Sequence, residues 1–181
     1  MTDTKRTSAE LISALADNIS GNISEQDLRD LVVSMIMPHG NTDLFSNLSE
    51  TTINSTNVFE VIAGVFSQGG SGVEVTESSI GGRLTYTGVP DRHFMMSANA
   101  SFFSISNNQI IAFQWRKNGS ILLDVPVEAK VGTGSDIGTL SCGADVMMST
   151  DDYVELVIAN ETSTANVVVD HAYLFATGIF G

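Results

Sequence analysis

Residues 136–178, DIGTLSCGADVMMSTDDYVELVIANETSTANVVVDHAYLFATG, decide the fold of this 181-residue chain. Three apolar segments make up this stretch, and the short polar groups TDD and TSTA separate them. The middle segment shows the two-residue period of a strand. Its side chains fall on two faces, Val154, Leu156 and Ile158 on one and Tyr153, Glu155, Val157 and Ala159 on the other. This pattern predicts antiparallel strands with one apolar face and one mixed face, which suits either solvent or a subunit interface.

The same pattern continues towards the N-terminus from this stretch. Strand-like segments occupy residues 83–88, 94–105, 109–119 and 121–129. The turn sequence NN precedes the third segment, NG ends it, and GTGS follows the fourth. Residues 69–82, GGSGVEVTESSIGG, fit a short hairpin, and residues 58–66, VFEVIAGVF, are predicted to be a buried strand or a packed arm. Seven or eight strands without intervening helices predict a mainly β, antiparallel sandwich.

Two short amphipathic helices are predicted before the strands. Thr7 and Glu10 can form a capping box for the first helix, which Gly21 ends. Its apolar face carries Leu11, Ile12, Leu15 and Ile19. Ser24 and Asp27 start the second helix, and Pro38 and Gly40 end it. Its apolar stripe consists of Leu28, Leu31, Val32, Met35 and Ile36.

This pattern divides the chain into three parts. We interpret residues 1–40 as a helical anchor or assembly segment, residues 41–57 as a linker or extended arm, and residues 58–181 as the head domain. Helices this short need a partner surface to be stable in water. Two partners remain open for the apolar stripe: the head of the same chain, or other copies and a larger assembly.

Composition excludes several classes of partner. The chain carries 21 acidic and 8 basic residues, and its formal net charge of -13 repels phosphate backbones, so nucleic acid is not expected as a partner. No apolar run approaches the roughly 20 residues that cross a bilayer, so membrane insertion is not expected. The first residues, MTDTKRTSAE, lack the apolar core of a secretory signal, and we expect synthesis in a cytoplasm without export.

No constellation of residues predicts catalysis, a cofactor or a metal site. His39, His93 and His171 stand far apart in the sequence, and His171 is predicted to be a strand residue near an interface or in the core. Cys142 has no cationic neighbour that would lower its pKa and is predicted to be a small core residue. A calcium site built from Asp136, Asp145, Asp151 and Asp152 is an alternative to solvated turn acids, but their spacing does not match the EF-hand, and solvated turn acids are favoured.

The aromatic side chains are predicted to pack rather than to bind sugar. Alternation places Phe113 and Trp115 on the same face of their strand. The candidates for the core or for a trimer axis are Phe102, Phe103, Trp115, Tyr153 and Phe175.

Residues 110–131, IIAFQWRKNGSILLDVPVEAKV, together with residues 136–178 resemble the head domains of bacteriophage fibre proteins with a TNF/C1q-like jelly roll. The shared features are an aromatic strand that runs into a K-N-G turn, a small-residue strand, an acidic turn into D-Y-V-E-L, and a final Val-rich strand. Residues 23–36, ISEQDLRDLVVSMI, are similar to a segment that often precedes the variable part of phage tail-fibre proteins. The resemblance implies a homotrimer that packs through apolar outer faces, and it implies no catalytic residues.

The resemblance and the composition together lead to one functional expectation with one alternative. We expect a phage virion structural protein, a homotrimeric surface fibre, spike or capsid decoration protein that contacts other virion proteins through its N-terminal segment. The expected location is the virion surface, after synthesis in the host cytoplasm. The alternative is a tail-fibre protein that binds a host surface glycan or protein through loops near Asn107–Asn108, Gly132–Asp136 and Glu161–Ala165. An enzyme is not expected.

Overall fold

The computed structural model describes residues 4–16, 23–69, 72–133 and 135–179. The two predicted helices are present as α1 (Ser8–Ala16) and α2 (Glu25–Ser34). Both predicted capping boxes are formed. The backbone N–H of Glu10 donates to the Thr7 hydroxyl, and the backbone N–H of Thr7 donates to the Glu10 carboxylate. Ser24 and Asp27 form the equivalent pair at α2. The predicted helix end at Gly21 and the position of Ile19 lie outside the described residues.

Twelve strands follow the helices in the described part of the chain. In chain order they are β1 (His39–Leu44), β2 (Glu50–Thr51), β3 (Glu60–Val61), β4 (Ser67–Gln68), β5 (Val75–Glu77), β6 (Leu84–Tyr86), β7 (Arg92–Ser104), β8 (Gln109–Lys117), β9 (Ile121–Val131), β10 (Gly138–Met148), β11 (Tyr153–Asn160) and β12 (Val167–Gly178). One sheet has the order β10-β7-β12-β1-β4, with β2 also paired to β12. The other has the order β5-β6-β11-β8-β9, with β3 also paired to β11. All pairings are antiparallel, which confirms the predicted mainly β sandwich.

The predicted long strands form where the sequence places them. The segments at 94–105, 109–119, 121–129, 136–148, 152–161 and 165–178 correspond to β7 through β12. The N-G turn between β8 and β9 has positive φ at both Asn118 and Gly119, the backbone shape that joins adjacent strands in a tight hairpin. The predicted short hairpin pairs β5 with β6, whose partner residues Leu84–Tyr86 lie just beyond the predicted segment.

The core lies between the two sheets. Phe102 of one sheet packs against Phe113 of the other, with ring centroids 5.0 Å apart. Trp115 is fully buried in the same cluster. The core also contains the Tyr86–Phe94 ring pair and branched side chains, among them Val154, Leu156 and Ile158 on the predicted apolar face of β11.

The predicted linker over residues 41–57 is wrong in its first part. Residues 39–44 are β1, which lies between β12 and β4 and pairs with β12 over six residues. The sequence HGNTDL has none of the β-branched apolar residues that usually mark a strand. Of its inward positions only Leu44 is a large apolar residue; Thr42 is polar, and at Gly40 a Cβ would lie 2.6 Å from Cγ1 of Val75. The head therefore begins before residue 58.

Residues 47–66 form an arm that packs on the sandwich. Asn47 is nearly buried, and its side-chain amide donates to the carbonyl oxygens of Ala63 and Val169, both at 2.9 Å. Ile62 and Phe66 are buried in the core. Of the two predicted alternatives for residues 58–66, a buried strand or a packed arm, the structure shows the packed arm. The arm pairs with the sheets through β2, which contacts β12, and through β3, which contacts β11.

The second face of β11 does not meet solvent. Glu155, Val157 and Ala159 are fully buried within the chain, and Val61 of the arm pairs with Val157. The mixed face is therefore covered by the chain itself, and the predicted choice between solvent and a subunit interface does not apply to it.

Candidate functional site

The outward surface of the β10-β7-β12-β1 sheet carries a row of exposed and half-buried side chains on each strand; we call it the open face. The alternation of burial along these strands defines its side chains. They are His93, Met95, Ser97, Asn99, Ser101 and Phe103 on β7; Thr139, Ser141, Gly143, Asp145 and Met147 on β10; His171, Tyr173, Phe175 and Thr177 on β12; and His39, Asn41 and Asp43 on β1.

The open face is unusual for this chain because it carries little charge. None of its side chains is Lys or Arg. Asp43 and Asp145 are acidic, and the Asp170 carboxylate at the bulge of β12 lies beside His171. The whole chain has a formal net charge of -13. Aromatic, methionine and small polar side chains fill the remaining positions. A surface of this composition can be covered by another molecule with little loss of hydration of charged groups.

A broad depression of about 900 Å³ lies within the open face. Phe45, Tyr173 and His171 form its aromatic side, and the rings of Phe45 and His171 meet edge to face with centroids 4.8 Å apart. On the polar side, the Ser141 hydroxyl donates to the side-chain oxygen of Asn99 at 2.5 Å. The depression is open to solvent rather than enclosed.

The five predicted aromatic residues for the core or trimer axis separate into three places. Phe102 and Trp115 are in the core. Phe103 and Phe175 are half-buried on the open face. Tyr153 belongs to the other sheet, where the Arg83 guanidinium lies 4.5 Å from the centre of its ring. Only Phe103 and Phe175 of this set can contact a second copy through the open face.

Helix α2 turns its apolar stripe away from the head. Val32 and Met35 are each 62% exposed, Leu28 and Ile36 are exposed, and Leu31 is half-buried. The buried side chains of this helix are polar, Asp30 and Ser34. Apart from the half-buried Leu31, the stripe predicted to need a partner therefore remains exposed within the described part of the chain.

Polar contacts hold the polar side of α2. The Asp30 carboxylate accepts hydrogen bonds from the Thr4 backbone N–H at 2.9 Å, from Arg6 at 2.8 Å and from Gln26 at 2.6 Å. The Thr4 hydrogen bond is the main cause that holds the pKa of Asp30 below its usual value; Gln26 and Arg6 add to it, and burial opposes it. Arg92 of β7 donates to the Ser34 carbonyl at 3.4 Å, which ties α2 to one end of the sandwich.

The three loops predicted for adhesion gather at the opposite end. The backbone N–H of Asn108 donates to the carbonyl of Gly132. The side-chain amide nitrogen of buried Asn160 donates a hydrogen bond to the Gln109 side chain at 3.0 Å. Its side-chain oxygen accepts hydrogen bonds from the backbone N–H groups of Thr162 and Ser163. These contacts join the loops at 107–108, 132–136 and 161–165. The thirteen residues of β7 separate this loop end from α2 by about 40 Å at strand spacing.

The sequence did not predict a buried charge cluster beneath the arm. The Glu155 carboxylate is fully buried between Arg83, whose Nε lies 2.8 Å away, and Arg116, whose Nη2 lies 2.8 Å away. The three residues belong to different strands or turns, so only the unexpected carboxylate in an apolar strand could have indicated the cluster. Its role here is to hold the strands β8 and β11 and the Arg83 segment together.

The described residues include few groups suited to act as a nucleophile or to hold a metal ion. Burial raises the pKa of the Cys142 thiol to about 11, so it is a poor nucleophile at neutral pH. Within residues 4–16, 23–69, 72–133 and 135–179, no three His, Cys, Asp or Glu side chains cluster closely enough to hold a metal ion. No helix in this part of the chain has the length and apolarity needed to cross a membrane.

No family model and no curated protein matches the sequence. Solved structures match the fold. Eiger TNF from S. frugiperda aligns over 78% of this chain and 93% of its own with a TM-score of 0.53 at 9% identity. Murine APRIL at pH 5.0 aligns over 78% of this chain and 99% of its own, with a TM-score of 0.49 and 9% identity. At these identities the likeness shows a TNF-like jelly roll and nothing further.

Proposed function

We propose that this chain is a non-enzymatic structural protein of a bacteriophage particle, a homotrimer that attaches through its N-terminal segment and displays a jelly-roll head on the virion surface. The open face is the observation that carries the proposal. It is a four-stranded surface with apolar, aromatic and small side chains, few carboxylates and no Lys or Arg. The phage setting rests on the resemblance of residues 23–36 and 110–178.

The charge distribution favours another copy of the chain as the occupant of this surface. Copies with a net charge of -13 repel each other wherever their acidic surfaces meet. The nearly neutral open face is where that repulsion is weakest. Met95, Tyr173 and Met147 on this face are all exposed in the single chain, and burying them against a second copy removes apolar area from water.

A closed ring of three needs two different contact surfaces on each copy. The second surface is the edge of the sandwich where β9 and β10, the end strands of the two sheets, lie side by side. Val125 on this edge is 80% exposed and Ile137 is 67% exposed. We propose that this apolar edge of one copy enters the depression on the open face of the next.

The position of α2 supports attachment through the N-terminal segment. Its exposed stripe, Leu28, Val32, Met35 and Ile36, lies at the end of the sandwich opposite the loop cluster. A particle protein that covers this stripe would leave the loop end pointing away from the particle. The proposal therefore assigns the helical end to assembly and the loop end to display.

The clustered loops favour one second function, adhesion to a host surface glycan or protein. Hydrogen bonds join Asn108 to Gly132, and Gln109 to Asn160 and Ser163, so these loops meet at one end of the sandwich. Under this alternative, purified protein binds host cells, and substitutions at Thr162 and Ser163 abolish that binding while particle assembly continues. Under the structural proposal, the same substitutions leave every measured property of the particle unchanged.

A charge placed in the centre of the open face tests the proposed assembly. Ser97 is exposed on β7 between Gly143 and Phe175, so Ser97→Glu should leave the single chain folded and should repel a second copy. Sedimentation velocity should then show the wild type as a trimer and the variant as a monomer. Ser120→Glu, in the exposed β8–β9 turn, is the matched control and should remain trimeric. If both variants sediment like the wild type, the open face is not the interface.

A further inference from the structure

All three histidines of the chain lie on the open face. They come from separate strands, His39 from β1, His93 from β7 and His171 from β12. Nothing in their sequence spacing predicts this, because the register of the sheet brings them onto one surface. The same surface has no Lys or Arg. Histidine is therefore the only source of positive charge on the open face.

Two of the histidines lie beside carboxylates. His93 Nδ1 is 3.3 Å from Asp145 Oδ1 on the neighbouring strand β10. His171 Nδ1 is 2.7 Å from Asp170 Oδ2 at the β-bulge of its own strand. In both pairs the carboxylate is already placed to form an ion pair when the imidazole takes up a proton.

The other groups that face these histidines are few. On the side of β1, Asp43 and Tyr173 line the depression together with His171. Beside His93, the region under α1 is lined by Asp91, Met147 and Arg92, and the Arg92 side chain is buried away from the open face. His39 Nδ1 lies 3.2 Å from the Met37 carbonyl oxygen, and its cross-strand neighbours are Thr177 and Val73.

We propose that self-association through the open face is regulated by pH and strengthens as the pH falls from 8 to 5.5, because His39, His93 and His171 then become charged. This inference rests on the proposed function, since it assumes that the open face is the interface. At pH 8 an assembling copy would bury the Asp145 and Asp43 carboxylates without a counter-charge. At pH 5.5 the face holds imidazolium groups that offset them.

Two physical effects act in the same direction. Burying a paired carboxylate costs less than burying one whose neighbour is neutral. Three added positive charges also reduce the formal net charge of each chain from -13 to -10, and so reduce the repulsion between copies. Histidine is the side chain that normally changes charge in this pH range, whereas aspartate titrates near pH 4.

The carboxylate of Glu161, outside the open face, needs a control variant in the pH experiment. Burial, and to a lesser degree the charge of Glu128, raises the pKa of Glu161, which could bring its titration closer to the tested range. Glu161 lies at the loop end and not on the open face, so Glu161→Gln should show the same pH dependence as the wild type.

The experiment compares sedimentation equilibrium of the full chain at pH 8.0 and pH 5.5 at one ionic strength. Exposed ion pairs are each worth about a twofold change, so the His93–Asp145 and His171–Asp170 pairs on each chain should together lower the concentration of half-assembly by about fourfold at pH 5.5. The H39Q, H93Q and H171Q triple variant should assemble at both pH values with less than about a twofold difference between them. Asp145→Asn should assemble more tightly than the wild type at pH 8.0.

The outcomes separate the two proposals. A trimer whose assembly is equal at both pH values, or a triple variant that keeps the wild-type pH dependence, overturns the inference and leaves the proposed function standing. A monomer at both pH values overturns the proposed function and this inference with it. Because the three side chains are exposed or half-buried in the single chain, the triple variant should unfold at the wild-type temperature when measured at a concentration where both are monomeric.

Discussion

At the scale of single residues, one buried charged group stands out from the apolar sequence around it. Glu155 stands in the apolar strand YVELVIAN and is fully buried, yet two guanidinium groups contact its carboxylate. The Glu155 hydrogen bond is the first cause of the raised pKa of Arg83, which keeps its charge at any pH of interest. A carboxylate in this position is stabilising only while both partners remain.

Replacing Glu155 should show how much this cluster contributes. Glu155→Gln leaves Arg116 and Arg83 partly buried without a counter-charge, and breaking a buried ion pair of this kind typically costs about 3 kcal/mol. Urea unfolding at one fixed protein concentration should measure a loss of that size in the free energy of unfolding. Glu128→Gln, an exposed carboxylate on β9, should change it by less than about 0.5 kcal/mol. Equal effects from the two variants would show that the cluster is not a major source of stability.

At the scale of elements, α2 shows that an amphipathic helix can turn either side to its own domain. Here the side with Asp30 and Ser34 is held by Thr4, Arg6 and Arg92, and the apolar stripe is left outside. The following strand β1 is part of the sandwich. A truncation that removes the helices and keeps the head intact must therefore stop before His39 and not at residue 40.

The exposed stripe leads to a prediction that separates attachment from folding. Val32→Ser combined with Met35→Ser should leave the free energy of unfolding within about 0.5 kcal/mol of the wild type, since both side chains are mostly exposed. The amount of this variant that copurifies with particles should fall several-fold. Asp30→Ala is the control for the other side of the helix and should loosen α2 without removing the stripe. Unchanged incorporation of the double variant would contradict attachment through the stripe.

Much of the fold, and little of the candidate site, could be predicted at this scale. The strands β7 to β12 can be recognised in the sequence because each has a two-residue apolar period or a continuous apolar run between turn residues. β1 and the two-residue strands of the arm have neither signal, and their pairing is imposed by the rest of the sandwich. The orientation of α2 was not predictable from its stripe, because polar contacts from residues far along the chain decide it.

At the scale of the whole molecule, the chain has two ends and one open side. The helices lie at one end of the sandwich, the loop cluster lies at the other, and the open face runs between them along β7. Attachment, self-association and display would then each use a different surface. The gathering of all three histidines on the open face could not be read from the sequence, since it depends on the sheet order and register.

The mass of the full-length chain in solution tests the central claim most directly. Native mass spectrometry at pH 5.5 and micromolar concentration should give three times the 19.2 kDa mass of one chain, because burial of the open face and of the β9–β10 edge closes a ring of three. A species of 19.2 kDa that persists as the concentration is raised would contradict the account, since the open face would then be uncovered in the functional molecule.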